Sequence, residues 1–285
     1  MKLCRFDNDR LGLVEGDVVR DVTAALDILP RHAYPLPRHD PLVAGLITLR
    51  LRIESLAANA PRRPLAGIKL LSPIANPGKI LAAPVNYRKH LEEAREDPGI
   101  HHQKQVTEIQ KLGLFLKATS SLVGPAEGIA LRHLDRRNDH EIELAAVIGK
   151  PGRDIPRTRA FEHIAGYCIG LDMTVRGPEE RSLRKSVDSF TVLGPWFVTA
   201  DAIGDPSALD LRLAVNGEMR QQANTRDLIL GIAELIEFAT SFYTVHPGDI
   251  LLTGTPEGVG PVQPGDRLTA EIQGIGRMEV AVRAA

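Results

Sequence analysis

The sequence predicts a chain that is mostly β with some α: a rolled or barrel-like β core with a few helices, behind a small N-terminal α+β unit. Three observations predict it. Short runs rich in Val, Ile, Leu and Phe recur along the chain and are cut off by Gly, Pro, Asn or Asp, as strands are. Only a few stretches carry apolar residues at helical spacing. No apolar run approaches the roughly 18 residues that a membrane helix needs, so the 285 residues must bury a core of their own.

The N-terminal unit opens with three strand-like pieces, Lys2–Phe6, Leu11–Glu15 and Val18–Val22, around Asp7-Asn8-Asp9-Arg10 and Gly16-Asp17. Residues 41–59 read as a helix, with Leu42, Leu46, Leu49 and Ile53 on one face. Pro61, Pro64, Pro73 and Pro77 then punctuate a linker, which divides the chain into residues 1–70 and 71–285. The larger unit starts with a strand, Lys79–Ala83. It turns through Pro84-Val85-Asn86-Tyr87 into a helix, Arg88–Glu96. Residues 97–113 are polar and contain Pro98-Gly99, which predicts a mobile loop or a short lid helix. Phe115-Leu116-Lys117 returns to strand. Further strands are expected at 139–148, 164–171, 191–199, 211–215, 249–253, 267–272 and 277–282, with a hairpin turn at Asn216-Gly217. Thr225–Phe242 reads as an amphipathic helix with Leu228, Ile232, Leu235 and Phe238 on one face.

A formal net charge of −1 gives no electrostatic reason to expect nucleic acid or an anionic membrane as partner. Cys4 and Cys168 lie far apart in apolar, strand-like contexts and read as reduced core residues. The opening Met1-Lys2-Leu3-Cys4-Arg5-Phe6-Asp7 is charged from the start and does not read as a secretory leader. The expected setting is the cytoplasm.

Side chains alternate along a strand, so Glu141 and Glu143 face the same way, roughly 7 Å apart. Two carboxylates so placed repel unless a positive charge lies between them. The run Ile164–Leu171 ends in Asp172, and if the two strands are neighbours, Asp172 faces the pair. Three hard oxygen ligands suit Mg²⁺, Mn²⁺ or Ca²⁺ rather than Zn²⁺. The alternative is a solvent-facing strand start that carries two glutamates. On the helix Arg88–Glu96, His90 and Glu93 at i and i+3 share a face. The carboxylate fixes the tautomer and raises the basicity of the other ring nitrogen, as a general base requires; the alternative is ordinary charge pairing on a surface helix. Glu92 faces elsewhere, and His101-His102 reads as solvated. Arg176 and Lys185, shortly after Asp172, suit an anionic substrate, Arg as a bidentate clamp and Lys as a point charge. Arg181 and Arg184 make the same segment look like a solvated charge run. Lys117 either snorkels at the core edge or faces the site. Gly254 and Thr255 lie in a glycine-rich turn whose N–H groups and hydroxyls can hold a carboxylate or oxyanion. There is no P-loop, dinucleotide fingerprint or Gly-x-Ser-x-Gly elbow.

Taken in order, Asn86-Tyr87 with His90, Phe115-Leu116-Lys117, Glu141-Ile142-Glu143-Leu144, Asp172-Met173-Thr174, Lys185-Ser186, Gly194-Pro195, Asn216-Gly217-Glu218 and Thr253-Gly254-Thr255-Pro256-Glu257-Gly258-Val259-Gly260 resemble the fumarylacetoacetate hydrolase superfamily, from about residue 79 onward. The resemblance implies a mixed β-sandwich roll like the C-terminal domain of fumarylacetoacetase, and a homodimer. It implies a divalent metal on Glu141, Glu143 and Asp172, Mg²⁺ or else Mn²⁺ or Ca²⁺. It also implies a 2-oxo or 1,3-dicarbonyl carboxylate as substrate, of the acylpyruvate or fumarylpyruvate type. Its hydrolases cleave a C–C bond through a metal-bound enolate, with water activated at the position of His90 and Glu93 and the enolate steadied at that of Lys185. The same frame carries isomerases, hydratases and decarboxylases. A spacer that is long between His90 and Phe115, and one that is short between Asp172 and Lys185, set this chain apart at the substrate end.

Overall fold

The structure is a computed structural model and describes residues 1–102 and 105–285. Its organising strand, Ile142–Ile148, is buried at every position. Ile142, Leu144, Ala146 and Ile148 belong to one core, with Leu211, Leu268 and the helix residues Leu235 and Ile236; Ala145 and Val147 belong to another, with Leu49 and Ile53. A strand covered on both faces reads as a continuous apolar run. Each fully buried aliphatic side chain contributes about 1.5–3 kcal/mol, and a one-residue slip would exchange the two faces. The register of Glu143 is fixed by that packing.

Among the described residues this strand lies within a twelve-stranded mixed sheet. The main path runs Arg62–Pro64, Val18–Asp21, Arg10–Glu15, Lys2–Phe6, Thr191–Thr199, Ile164–Asp172, Ile142–Ile148, Ile250–Leu252, Ile80–Ala82, Phe115–Lys117. Ile250–Leu252 and Ile80–Ala82 pair in parallel, and their neighbours on the path are antiparallel. Lys2 opposes Val198, so the N-terminal strands extend this sheet. A five-stranded sheet, Glu218–Asn224, Asp210–Val215, Arg267–Ile272, Gly276–Ala284 and Ile129–Leu131, covers the first core. A three-stranded sheet joins Thr174–Val175, Asn138–His140 and Gly260–Pro261. The mostly β, mixed-sheet class expected from the sequence is the class observed.

Three elements differ from expectation. The strand at 139–148 is two strands, Asn138–His140 in the small sheet and Ile142–Ile148 in the large one, and Glu141 occupies the step between them. The helix at 41–59 is broken at Gly45 into Pro41–Ala44 and Leu46–Asn59. The helix at 225–242 begins only at Ile232, because Asn86 claims the backbone before it: the Asn86 carbonyl accepts from Ile229 N at 2.7 Å and its Oδ1 from Leu230 N at 2.9 Å. Propensity loses there to a buried side chain.

Candidate active site

Glu141, Glu143 and Asp172 converge. One oxygen from each lies within 4.8 Å of the others, and all three residues are buried. The strand pairing accounts for it: Ile142 opposes Leu171 and Glu143 opposes Gly170, while Asp172 N donates to the carbonyl of Glu141 at 2.9 Å. Burying a carboxylate costs several kcal/mol unless cations and donors compensate, and here they do. Lys185 Nζ bridges Glu141 Oε2 at 2.6 Å and Asp172 Oδ2 at 2.7 Å. Arg176 donates to Glu141 Oε1 at 3.1 Å and to Asp139 Oδ2 at 2.8 Å, and Thr174 Oγ1 donates to Glu141 Oε1 at 3.0 Å. Lys117, fully buried, donates to Asp172 and to the Phe190 carbonyl.

These surroundings drive the carboxyls apart. Burial alone would raise Glu141, but Lys185, then Arg176 and His90, outweigh it and pull the group down to about 2. Glu143 goes the other way: burial, with the charges of Asp172 and Glu141, holds it well above the usual carboxylate range. Burial also lowers the Lys117 ammonium. A bridging ammonium marks where positive charge is wanted. The donor set of three hard oxygens suits a divalent cation of the Mg²⁺ or Mn²⁺ kind.

His90 Nδ1 lies 2.8 Å from Glu93 Oε2; a carboxylate only accepts, so the ring N–H donates and Nε2 carries the basic lone pair. Glu93 is held in turn by Gly258 N, 2.9 Å from Oε1, while Glu92 is exposed. Gly258 has φ +90°, and a Cβ there would meet the Arg220 carbonyl at 2.0 Å, so only glycine fits. Asn86 anchors the start of this helix through Nδ2, which donates to the carbonyls of Thr253 at 2.8 Å and Leu230 at 2.9 Å.

A cavity of about 190 Å³ joins the two groups, with His90, Glu141, Glu143, Arg176, Lys185 and Thr255 on its wall. That is small beside the roughly 300–1,000 Å³ of ligand and cofactor pockets in general and suits a short organic acid. The segment 97–113 contributes Ile100, His101, Gln105, Val106 and Leu112 to the wall and forms short helices at Pro98–His101 and Ile109–Leu112. Residues 103 and 104 of that expected lid lie outside the described residues.

The family model for the C-terminal part of fumarylacetoacetate (FAA) hydrolase matches residues 79–283. The chain belongs to the fumarylacetoacetate hydrolase family. It is an enzyme, a hydrolase acting on carbon–carbon bonds. A curated relative, maleylpyruvate hydrolase of Aquipseudomonas alcaligenes, is 60% identical over 286 residues and spans 100% of both chains. Human mitochondrial oxaloacetate tautomerase is 35% identical over 248 residues, covering 82% of this chain and 76% of its own. Among solved structures, maleylpyruvate hydrolase from Sphingobium sp. SYK-6 in complex with manganese(II) ion and pyruvate superposes with a TM-score of 0.84, at 41% identity and with 100% of each chain covered.

Within this family member the expected residues fall into three groups. Glu141, Glu143, His90, Arg176, Lys185 and Thr255 meet at the cavity, and Asp172 joins the two glutamates from just behind its wall. Gly254 lies behind it: its N–H donates to Glu143 Oε2 at 2.6 Å and so orients a carboxylate of the site itself. Lys117 likewise spends its donors on Asp172 and a carbonyl, away from the cavity wall. Sequence reasoning missed Gln221. Buried on the strand Glu218–Asn224, its Oε1 accepts from Ile142 N at 3.1 Å and lies 3.1 Å from His140 Nδ1. Its amide donates to Thr255 Oγ1 and the Pro256 carbonyl, both at 2.8 Å. It ties the step at Glu141 to the glycine-rich turn. Its one sequence signal is a polar residue in a strand, too weak to single out. His101, Arg181 and Arg184, set aside as solvated, line the cavity.

Proposed function

We propose that this enzyme hydrolyses acylpyruvates of the maleylpyruvate or fumarylpyruvate type, with a divalent metal on Glu141, Glu143 and Asp172 and with His90–Glu93 as the water-activating pair. The observation that carries the reading is the His90–Glu93 contact at 2.8 Å, with His90 on the wall of the cavity that Glu141 and Glu143 also line and Asp172 clustered with those two carboxylates. The full-length relative, itself a maleylpyruvate hydrolase, supports the substrate type. Bound to the three carboxylates, Mg²⁺ or Mn²⁺ would act as a Lewis acid toward the 2-oxo carboxylate and stabilise charge developing on the pyruvoyl half.

The chain's own residues do the rest. His90 Nε2 takes a proton from water as its oxygen bonds to the carbonyl carbon of the acyl arm. Glu93 stabilises the imidazolium so formed. The bond between that carbon and the pyruvoyl methylene breaks, and its electron pair stays with the methylene. His90 returns the proton there, which gives pyruvate and the free acyl acid. Lys185 and Arg176 hold positive charge at the pyruvoyl end throughout. A decarboxylase or tautomerase on the same carboxylates would need the enolate but no attacking water; a hydratase would also use a water-activating pair, and there the full-length maleylpyruvate hydrolase relative favours hydrolysis.

The test is a panel of acylpyruvates, oxaloacetate and dienoates assayed with Mg²⁺, Mn²⁺ and EDTA. Pyruvate release from acylpyruvates that EDTA abolishes is the expected result; turnover confined to oxaloacetate or dienoates would contradict it. The proposal carries with it the division at about residue 70, supported by a family match that starts at residue 79, and a homodimer in the cytoplasm. No helix among the described residues is long and apolar enough to cross a membrane.

A further inference from the structure

The short helix Arg181–Lys185 puts three cations on the cavity wall, and two of them, Arg181 and Lys185, stand one turn apart. Positions i and i+4 share a helix face, about 6 Å apart along the axis. Both meet the same ring: Lys185 Nζ and Arg181 Cζ each lie 5.5 Å from the centroid of Phe115. Their partners differ. Lys185 is held by Glu141 and Asp172, and Arg176 by Asp139 and Glu141. Arg184 donates to the carbonyls of Glu179 at 3.0 Å and Val175 at 3.2 Å. Arg181 makes no hydrogen bond or ion pair with any described residue; it rests on the Phe115 face, and Glu141, Glu180 and Asp172 act on it only through space. A guanidinium drawn into a wall with no anion in contact is costly unless a ligand answers it, and burial lowers the pKa of Arg181 although Glu141, Glu180 and Asp172 partly offset it. Its planar fork matches a carboxylate in bidentate fashion.

We infer that Arg181 is a specificity-determining residue that binds a second carboxylate, at the far end of the acyl arm, so that the preferred substrates are dianionic acylpyruvates. The inference rests on the acylpyruvate reading above: the Lys185 end of the helix marks the pyruvoyl half, and Arg181 stands one turn further along.

The experiment compares fumarylpyruvate with acetylpyruvate, which lacks the second carboxylate, on metal-loaded wild type, Arg181→Met and Arg181→Lys. Arg181→Met should lose about 10- to 100-fold more kcat/KM on fumarylpyruvate than on acetylpyruvate, the usual worth of a charge-assisted pair. The loss should fall mainly in KM, and Arg181→Lys should recover part of it. Equal losses on both substrates, or none on either, would overturn the assignment while leaving the acylpyruvate reading intact. If the wild type cleaves neither substrate, that reading has failed, and binding decides Arg181 by itself. Calorimetry on the Mn²⁺-loaded protein would then compare 2-oxoadipate with 2-oxohexanoate, which differ in the terminal carboxylate. A preference for the dianion of tenfold or more, lost in Arg181→Met, supports the role; equal affinities overturn it.

Discussion

Glu93 divides its carboxylate between two partners, His90 Nδ1 at 2.8 Å from Oε2 and Gly258 N at 2.9 Å from Oε1. The general base is thus tied to the turn that follows the strand Ile250–Leu252, and through it to the central sheet. Glu93→Gln keeps the size of the side chain but removes the charge that stabilises the imidazolium. It also turns an amide N–H toward another donor. Turnover should fall about 10- to 100-fold, part of the 10²–10⁴ that a general base supplies, with metal affinity unchanged. Steady-state kinetics beside metal titration would check it; wild-type turnover would remove Glu93 from the mechanism.

Gly258→Ala attacks the same contact from the backbone. At φ +90°, with the Arg220 carbonyl 2.0 Å from the new Cβ, the turn must shift. Strain of this kind costs about 1–3 kcal/mol. Denaturant unfolding should show a loss in that range, accompanied by reduced kcat. Unchanged stability would mean that the turn yields freely.

Lys185 bridges Glu141 and Asp172, and removing one partner of a buried ion pair costs about 3–5 kcal/mol. Lys185→Met should therefore lower Tm sharply in EDTA. Excess Mn²⁺ should restore more of the lost stability than it adds to the wild type, since the cation replaces the missing charge. Equal losses in both conditions would contradict a metal site on these carboxylates.

The carboxylates were legible because strand alternation placed Glu141 and Glu143 together and an apolar run delivered Asp172. His90 and Glu93 were legible because an i, i+3 pair needs only its own helix. What stayed hidden depends on distant partners. Gln221 reaches Ile142 and Pro256 from another sheet, and Asn86 breaks the helix expected at 225–242 from well over a hundred residues away. Arg181 was lost in its own neighbourhood: between Arg176 and Lys185 it reads as a charge run, and only the packed helix turns it toward Phe115. The mostly β class followed from strand counting and the mixed sheet from the family resemblance, but the pairing of Lys2–Phe6 with Thr191–Thr199 has no local signal.

Burial pushes the Cys4 thiol up to about 12 and raises Cys168 as well. Thiolate is the reactive form, and a raised pKa leaves almost none of it at pH 8. The native protein should be inert to a thiol reagent at that pH and should show both thiols in guanidinium. Rapid reaction of the native protein would contradict the packing around these residues.

The most direct test of the account is C–C cleavage and C3 deuterium exchange followed on one acylpyruvate with wild type and His90→Ala. If His90 delivers water to the acyl carbonyl, the substitution cuts cleavage by about 10²–10⁴-fold, leaves metal affinity nearly unchanged, and spares part of the exchange. Equal loss of cleavage and exchange would mean that His90 acts on the methylene proton, as an isomerase would require, and retention of both would take His90 out of the chemistry.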